Sequence, residues 1–135
     1  MVFGTFDGLH AGHRNFFAQA ARLGDVTAVV ARDASVKRIK GKLPHYSERS
    51  RLAKVARETK VFKAMLGDKN DFLKIIQKNQ PDIIALGFDQ KTFTIQALKL
   101  NLKKRNLTPQ TIRLKSYKPS IFKSSLMRKN NTVKK

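Results

Sequence analysis

Two histidines three residues apart, His10 and His13, stand in the stretch of the chain richest in chemistry, which reads VFGTFDGLHAGH over residues 2–13. Residues 2–5 suit a short strand. Gly4, Gly8 and Gly12 let the backbone turn sharply and come close to a ligand, and a helix follows from about His13. The start of a helix carries free N–H groups and the positive end of its dipole, which favour an anion. A neutral imidazole adds a hydrogen-bond donor and an acceptor. Strand, glycine turn, histidine pair and helix start together point to a phosphate-handling site.

Other residues could serve the same chemistry. Lys40 and Lys42 lie in a polar, basic stretch. Gly87 and Asp89 close an apolar run, and Asp7 sits inside the glycine turn.

The elements that must position these groups follow from hydropathy patterning. A helix over 13–23 places Phe16, Phe17, Ala20, Ala21 and Leu23 on one stripe, with Gly24 as its stop. Residues 26–31 form a continuous β-branched run, as expected of a strand buried on both faces. Residues 33–46 are polar and basic and read as a loop with at most a helical turn. Ser47 is an N-cap for a helix to about Thr59, with Leu52, Val55 and Ala56 inward. A third strand spans 61–65. A short helix over 71–79 turns Phe72, Leu73, Ile75 and Ile76 inward, and a fourth strand spans 82–87. A basic amphipathic helix over 92–105 uses Ile95, Leu98 and Leu102. A fifth, more alternating strand over 111–115 reads as an edge, and 124–129 as a last short helix.

Strands alternating with helices define an α/β architecture: a Rossmann-like, doubly wound, five-stranded parallel sheet in a single domain over residues 1–129, followed by a frayed basic tail over 130–135. Phe16, Phe17, Phe62 and Phe72 read as core. In such sheets a ligand binds beyond the carboxyl ends of the strands, where the strand order reverses. The glycine turn, residues 31–33 and residues 87–89 all fall at strand ends.

Composition bounds the function further. The chain has 135 residues and no cysteine, which removes disulfides and thiolate chemistry. No apolar run is long enough to cross a bilayer, and no signal peptide is evident. A cytoplasmic location is expected. Twenty-nine Lys and Arg against nine Asp and Glu give a net charge of +20, and Asp89 is the last acidic residue. That surface attracts polyanions, including nucleic acid through the basic C-terminal half. The few aromatics there, Phe93, Tyr117 and Phe122, form no stacking pattern, which ranks a non-catalytic nucleic-acid module last.

The stretch GTFDGLHAGH over residues 4–13 resembles the GTFDxxHxGH signature of the cytidylyltransferase-like nucleotidyltransferases. Residues 122–128, FKSSLMR, resemble the family's second signature, ISSTxxR, with Lys123 in place of its first serine and Ser125 in place of its threonine. Within the family the likeness runs to the archaeal-type FAD synthetases. It is carried by VVARD at 29–33, VKRIKGKLP at 36–44, LGD at 66–68 with Asp71 and Phe72, and PDIIALGFDQ at 81–90, and it covers about residues 2–128. The Met1-Val-Phe lead into Gly4 is shorter than the family pattern implies.

The resemblance implies ATP + FMN giving FAD and pyrophosphate. A cytidylyltransferase using CTP and glycerol 3-phosphate or a similar polyol phosphate is the alternative. It further implies His10, His13, Lys42 and Arg128 as catalytic groups. Gly4, Thr5, Phe6, Gly12, Gly87, Asp89, Ser124 and Ser125 would join His10, His13 and Arg128 around the nucleotide. Asp7 would be a metal contact or an acceptor-site residue, and Lys40 and Lys42 would serve the acceptor. No metal ligand set is visible in the sequence, and Mg2+ or another divalent cation is expected to arrive with the nucleotide. A homodimer is implied by the likeness alone.

Overall fold

In a computed structural model, residues 1–87 and 95–115 are described. Asp89, Ser124, Ser125, Arg128, the expected last helix and the 130–135 tail lie outside them. Five strands alternate with five helices in the order β1 (Val2–Gly4), α1 (Ala11–Ala21), β2 (Thr27–Val30), α2 (Asp33–Lys40), α3 (Glu48–Ala56), β3 (Lys63–Leu66), α4 (Phe72–Asn79), β4 (Ile83–Leu86), α5 (Ile95–Lys103) and β5 (Gln110–Arg113). All four strand pairings are parallel. The sheet order is β3-β2-β1-β4-β5, so the order reverses beside β1 and the switch point lies between β1 and β4.

Side chains alternate between the two faces of the sheet, and each face has its own core. On one face Val2, Ala28, Val30 and Ala85 pack with Phe17 and Ala20 of α1 and Val55 of α3. On the other, Phe3, Val29, Ile84 and Leu86 pack with Ile76 of α4 and with Leu98 and Leu102 of α5. This division explains the uninterrupted apolar runs of β2 and β4: both neighbours of each peptide point into a core. β5 is an edge strand, as its alternation implied, and β3 is the other edge.

Several local expectations are corrected. The 33–46 stretch is not mainly loop, because residues Asp33–Lys40 form α2. Only Val36 of that helix is buried, which is why periodicity missed it. Its ends hold it instead: Asp33 opens it, Lys37, Arg38 and Lys40 close it against the dipole, and Gly41 (φ 84°) caps it, its N–H donating to the Lys37 carbonyl. Ala56 is exposed rather than inward. Phe62 is 71% exposed on the β3 edge, not core, and Phe72 is only partly covered, its ring 4.7 Å from that of Phe3. Among the described residues no helix is long and apolar enough to cross a membrane.

Candidate active site

The turn that leaves β1 is built around a buried phenylalanine. Phe6 has φ of 54°, in the left-handed region, and is 4% exposed. A bulky residue in that conformation is strained unless its surroundings hold it. Here the ring packs against Phe17 (5.2 Å), Phe16 (6.4 Å) and the edge of His13 (5.6 Å). It also lies under Gly4: a Cβ there would come within 2.7 Å of the ring. Gly4 is thus a close-approach glycine, and the side chain of Phe6 serves the core, leaving only its backbone to face a nucleotide. Gly8 (φ 83°) completes the turn.

The helix begins two residues earlier than its sequence implied. Ala11 is its first residue and His10 its N-cap. Gly12 is therefore a helical residue, and its N–H donates to Nδ1 of His10 at 3.0 Å. The N–H of His10 donates to Nδ1 of His13 at 3.3 Å. The three-residue spacing of the histidines is that of a reciprocal capping box, with imidazoles in place of the usual hydroxyl and carboxamide. An Nδ1 that accepts a hydrogen bond places the proton of the neutral ring on Nε2. Both histidines are thereby fixed as Nε2–H donors, with ring centroids 4.0 Å apart.

A buried arginine that sequence reasoning passed over ties the turn to the rest of the site. Arg51, on α3, is 1% exposed. Its guanidinium donates to the carbonyls of Thr5 (2.8 Å), Ala31 (2.8 Å) and Tyr46 (2.9 Å) and to Oδ1 of Asp33 (2.7 Å). One side chain thus joins the ends of β1 and β2, the start of α2 and the loop before α3. The available signal was its position four residues before buried Val55, on the inner stripe of α3.

Asp7, expected at the acceptor, holds a loop. Its two oxygens accept the N–H groups of His45 (2.7 Å) and Tyr46 (2.9 Å). Burial pushes its carboxyl pKa up, but those two N–H groups and the positive charge of His45 and Arg51 outweigh it and hold the pKa below the ordinary 3.8. Lys40 reaches the turn, with Nζ 3.4 Å from Oγ1 of Thr5. Lys42 is exposed in the loop that follows α2. Gly87 is buried at the end of β4, where its carbonyl accepts from Arg113 at 2.8 Å. The structure therefore brings Gly4, Thr5, Phe6, Asp7, His10, Gly12, His13 and Lys40 together at one strand end.

A glycine turn and a histidine pair on a helix start, at the edge of a parallel sheet's switch point, define a nucleotide-handling α/β domain. The model of the cytidylyltransferase-like family matches residues 1–130, and the chain belongs to that family. Its relatives include the FAD synthase of Thermoplasma volcanium, 39% identical over 130 residues that span 96% of this chain and 90% of the relative. The FAD synthase of Aciduliprofundum boonei is 42% identical over 118 residues, 87% of this chain and 78% of the relative. A crystal structure of the lipopolysaccharide core biosynthesis protein from Thermoplasma volcanium GSS1 superposes with a TM-score of 0.82 at 39% identity, covering 87% of this chain and 96% of that one.

Proposed function

We infer that the chain is a nucleotidyltransferase of the FMN adenylyltransferase type, converting ATP and FMN to FAD and pyrophosphate. Relatives named as FAD synthases, matched over 78% to 90% of their length, support the substrates. The observation that carries the chemistry is the imidazole capping box, which commits both ring Nε2–H groups to donation.

In this reaction a phosphate oxygen of FMN attacks the α-phosphorus of ATP. The bond from that phosphorus to the bridging oxygen breaks, and pyrophosphate leaves with the bonding pair. No covalent enzyme intermediate is required, so catalysis rests on positioning and on neutralising charge. His10 and His13 donate to the oxygens that gain charge as the bridge breaks. The ammonium of Lys40, already over the turn, offsets the charge of two approaching phosphates, and Lys42 supplies a second cation from the loop that follows α2. Gly87 and Asp89 are assigned to the nucleotide's ribose and base, and Ser124, Ser125 and Arg128 to its outer phosphates, on the motif resemblance.

Among the described residues no cluster of three His, Asp or Glu side chains could hold a metal ion, and both oxygens of Asp7 already accept N–H groups. We therefore assign the divalent cation to the triphosphate, with which it arrives. A homodimer in the cytoplasm completes the proposal, and equilibrium sedimentation tests the dimer.

The decisive experiment is a panel of nucleotides and acceptors across divalent metals, read by pyrophosphate release and by chromatography of the product. FAD from ATP and FMN, abolished by His13→Ala in a variant that still folds, is the expected result. A CDP-alcohol from CTP and glycerol 3-phosphate, with no FAD formed, would replace this reading.

A further inference from the structure

The loop between α2 and α3 presents an aromatic ring to solvent beside the glycine turn. Tyr46 is 44% exposed, yet its backbone is tightly held. Its N–H donates to Asp7, its carbonyl accepts from buried Arg51, and Ser47 immediately after it caps α3. Its ring lies against the turn: a Cβ on Gly8 would come within 3.9 Å of Cε2. The ammonium of Lys54 stands over one face of the ring, 4.4 Å from its centroid. An exposed aromatic on an ordinary loop is free to reorient. The backbone of this one is tied to the same arginine that fixes the Thr5 carbonyl, and the Lys54 ammonium packs on its ring.

Its place in the sheet selects the substrate it serves. Thr5, Ala31 and Asp33, the groups tied to it through Arg51, lie at the β1 and β2 ends, whereas Gly87 lies across β1 at the end of β4. Lys40 and Lys42 belong to the chain segment that leads into Tyr46. One side of the turn therefore carries both cations for an acceptor phosphate and a flat ring. FMN has that pattern: a phosphate joined by a ribityl chain to a planar, electron-poor isoalloxazine.

We propose that the face of Tyr46 opposite Lys54 is the platform on which the isoalloxazine of FMN stacks, so that Tyr46 is a specificity-determining residue for the acceptor. The proposal rests on the FMN adenylyltransferase reading. Offset stacking of two π systems adds attraction beyond simple burial. Removing the ring should raise KM for FMN about tenfold, leave KM for ATP unchanged and change kcat little. Phenylalanine keeps the stacking face and should restore KM.

The test compares wild type, Tyr46→Ala and Tyr46→Phe in steady-state kinetics against each substrate. A parallel titration of FMN fluorescence is made without ATP. The ring is half exposed and its backbone bonds are independent of the side chain, so the alanine variant should melt with the wild type. Stacking on tyrosine quenches flavin emission, so bound FMN should be dark in the wild type and brighter in Tyr46→Phe at similar affinity. An alanine variant with an unchanged KM for FMN, or with both KM values raised together, overturns the platform while FAD formation by the wild type upholds the activity. If the wild type makes no FAD, the activity reading fails and the titration alone decides. FMN affinity lost in Tyr46→Ala then supports the platform, and equal or absent binding removes it.

Discussion

Asp33 and Glu48 cap each other's helices. The N–H of Asp33, at the start of α2, donates to Oε1 of Glu48 at 2.8 Å, and the N–H of Glu48, at the start of α3, donates to Oδ2 of Asp33 at 3.2 Å. Two helix starts are thus satisfied by one exchange, with each carboxylate facing the positive end of the other's dipole. Arg32 and Arg51 supply the countercharge, at 3.3 Å to Glu48 and 2.7 Å to Asp33. The exchange fixes both ends of the segment that carries Lys40, Lys42 and Tyr46.

Glu48→Ala should therefore cost about 1 kcal/mol, the worth of a helix cap. Asp33→Ala should cost more, about 3 kcal/mol, because it leaves the guanidinium of Arg51 buried without its charge partner. The double variant should fall short of the sum, since both changes break the same exchange. Urea denaturation of the four proteins measures the cycle, and strict additivity would show that the two caps act independently.

Gly4→Ala tests the close approach beneath the turn. The new methyl meets the Phe6 ring at 2.7 Å, and that ring is boxed in by Phe16, Phe17 and His13. Overpacking of this kind costs about 1–3 kcal/mol. Any relief by moving Phe6 pushes on the ring of His13, so kcat should fall on the order of a hundredfold. Thermal melting together with kcat for FAD formation reads both effects. An alanine variant with wild-type stability and turnover would mean that the ring moves freely.

The sheet was legible because β2 and β4 are apolar on both faces, β5 alternates as an edge strand does, and the helices apart from α2 carry an inner stripe. α2 was not, since one buried residue, Val36, gives no period, and its stability comes from charges and from Gly41 at its ends. The histidine pair could be seen in the sequence, but its geometry could not. A three-residue spacing fits both a helix face and a capping box, and only the backbone distinguishes them. Phe6 was assigned to the nucleotide from its place in the signature, whereas burial turns its side chain to the core. Arg51 was invisible because a charged residue is ordinarily placed in solvent, and four oxygens drawn from distant parts of the chain are needed to bury it. Asp7 was assigned to a metal contact or the acceptor on the resemblance, and its hold on the loop through the N–H groups of His45 and Tyr46 needed the fold to be seen.

Asp7 should make that loop sensitive to acid. Its folded pKa lies below the ordinary 3.8, held there by the two loop N–H groups against the effect of burial. A depressed carboxylate contributes stability that is complete above the unfolded value and is lost as pH falls through the folded one. The wild type should therefore lose stability more steeply than Asp7→Asn on descending from about pH 5 to pH 2. Asp68, whose pKa is lowered by the N–H groups of Asn70 and Asp71, is present in both proteins and cancels in the difference. Unfolding free energies from urea titrations across that range provide the comparison. Parallel profiles would remove the loop latch from the account.

His10 does two jobs that one substitution can separate. Its Nδ1 caps α1 by accepting from Gly12, and this leaves Nε2–H as the donor toward phosphate. Asparagine is among the best N-cap residues, so His10→Asn should keep stability within about 0.5 kcal/mol of wild type while removing the ring donor. Loss of one preorganised donor to a developing charge lowers kcat about 100- to 1000-fold. His10→Ala loses cap and donor together and should cost about 1 kcal/mol of stability besides. If both variants lose turnover equally while only alanine loses stability, the ring nitrogen acts on the substrate and the cap merely aims it. If asparagine restores turnover as well, the histidine matters only as a cap, and the charge on the leaving pyrophosphate must be met by other groups.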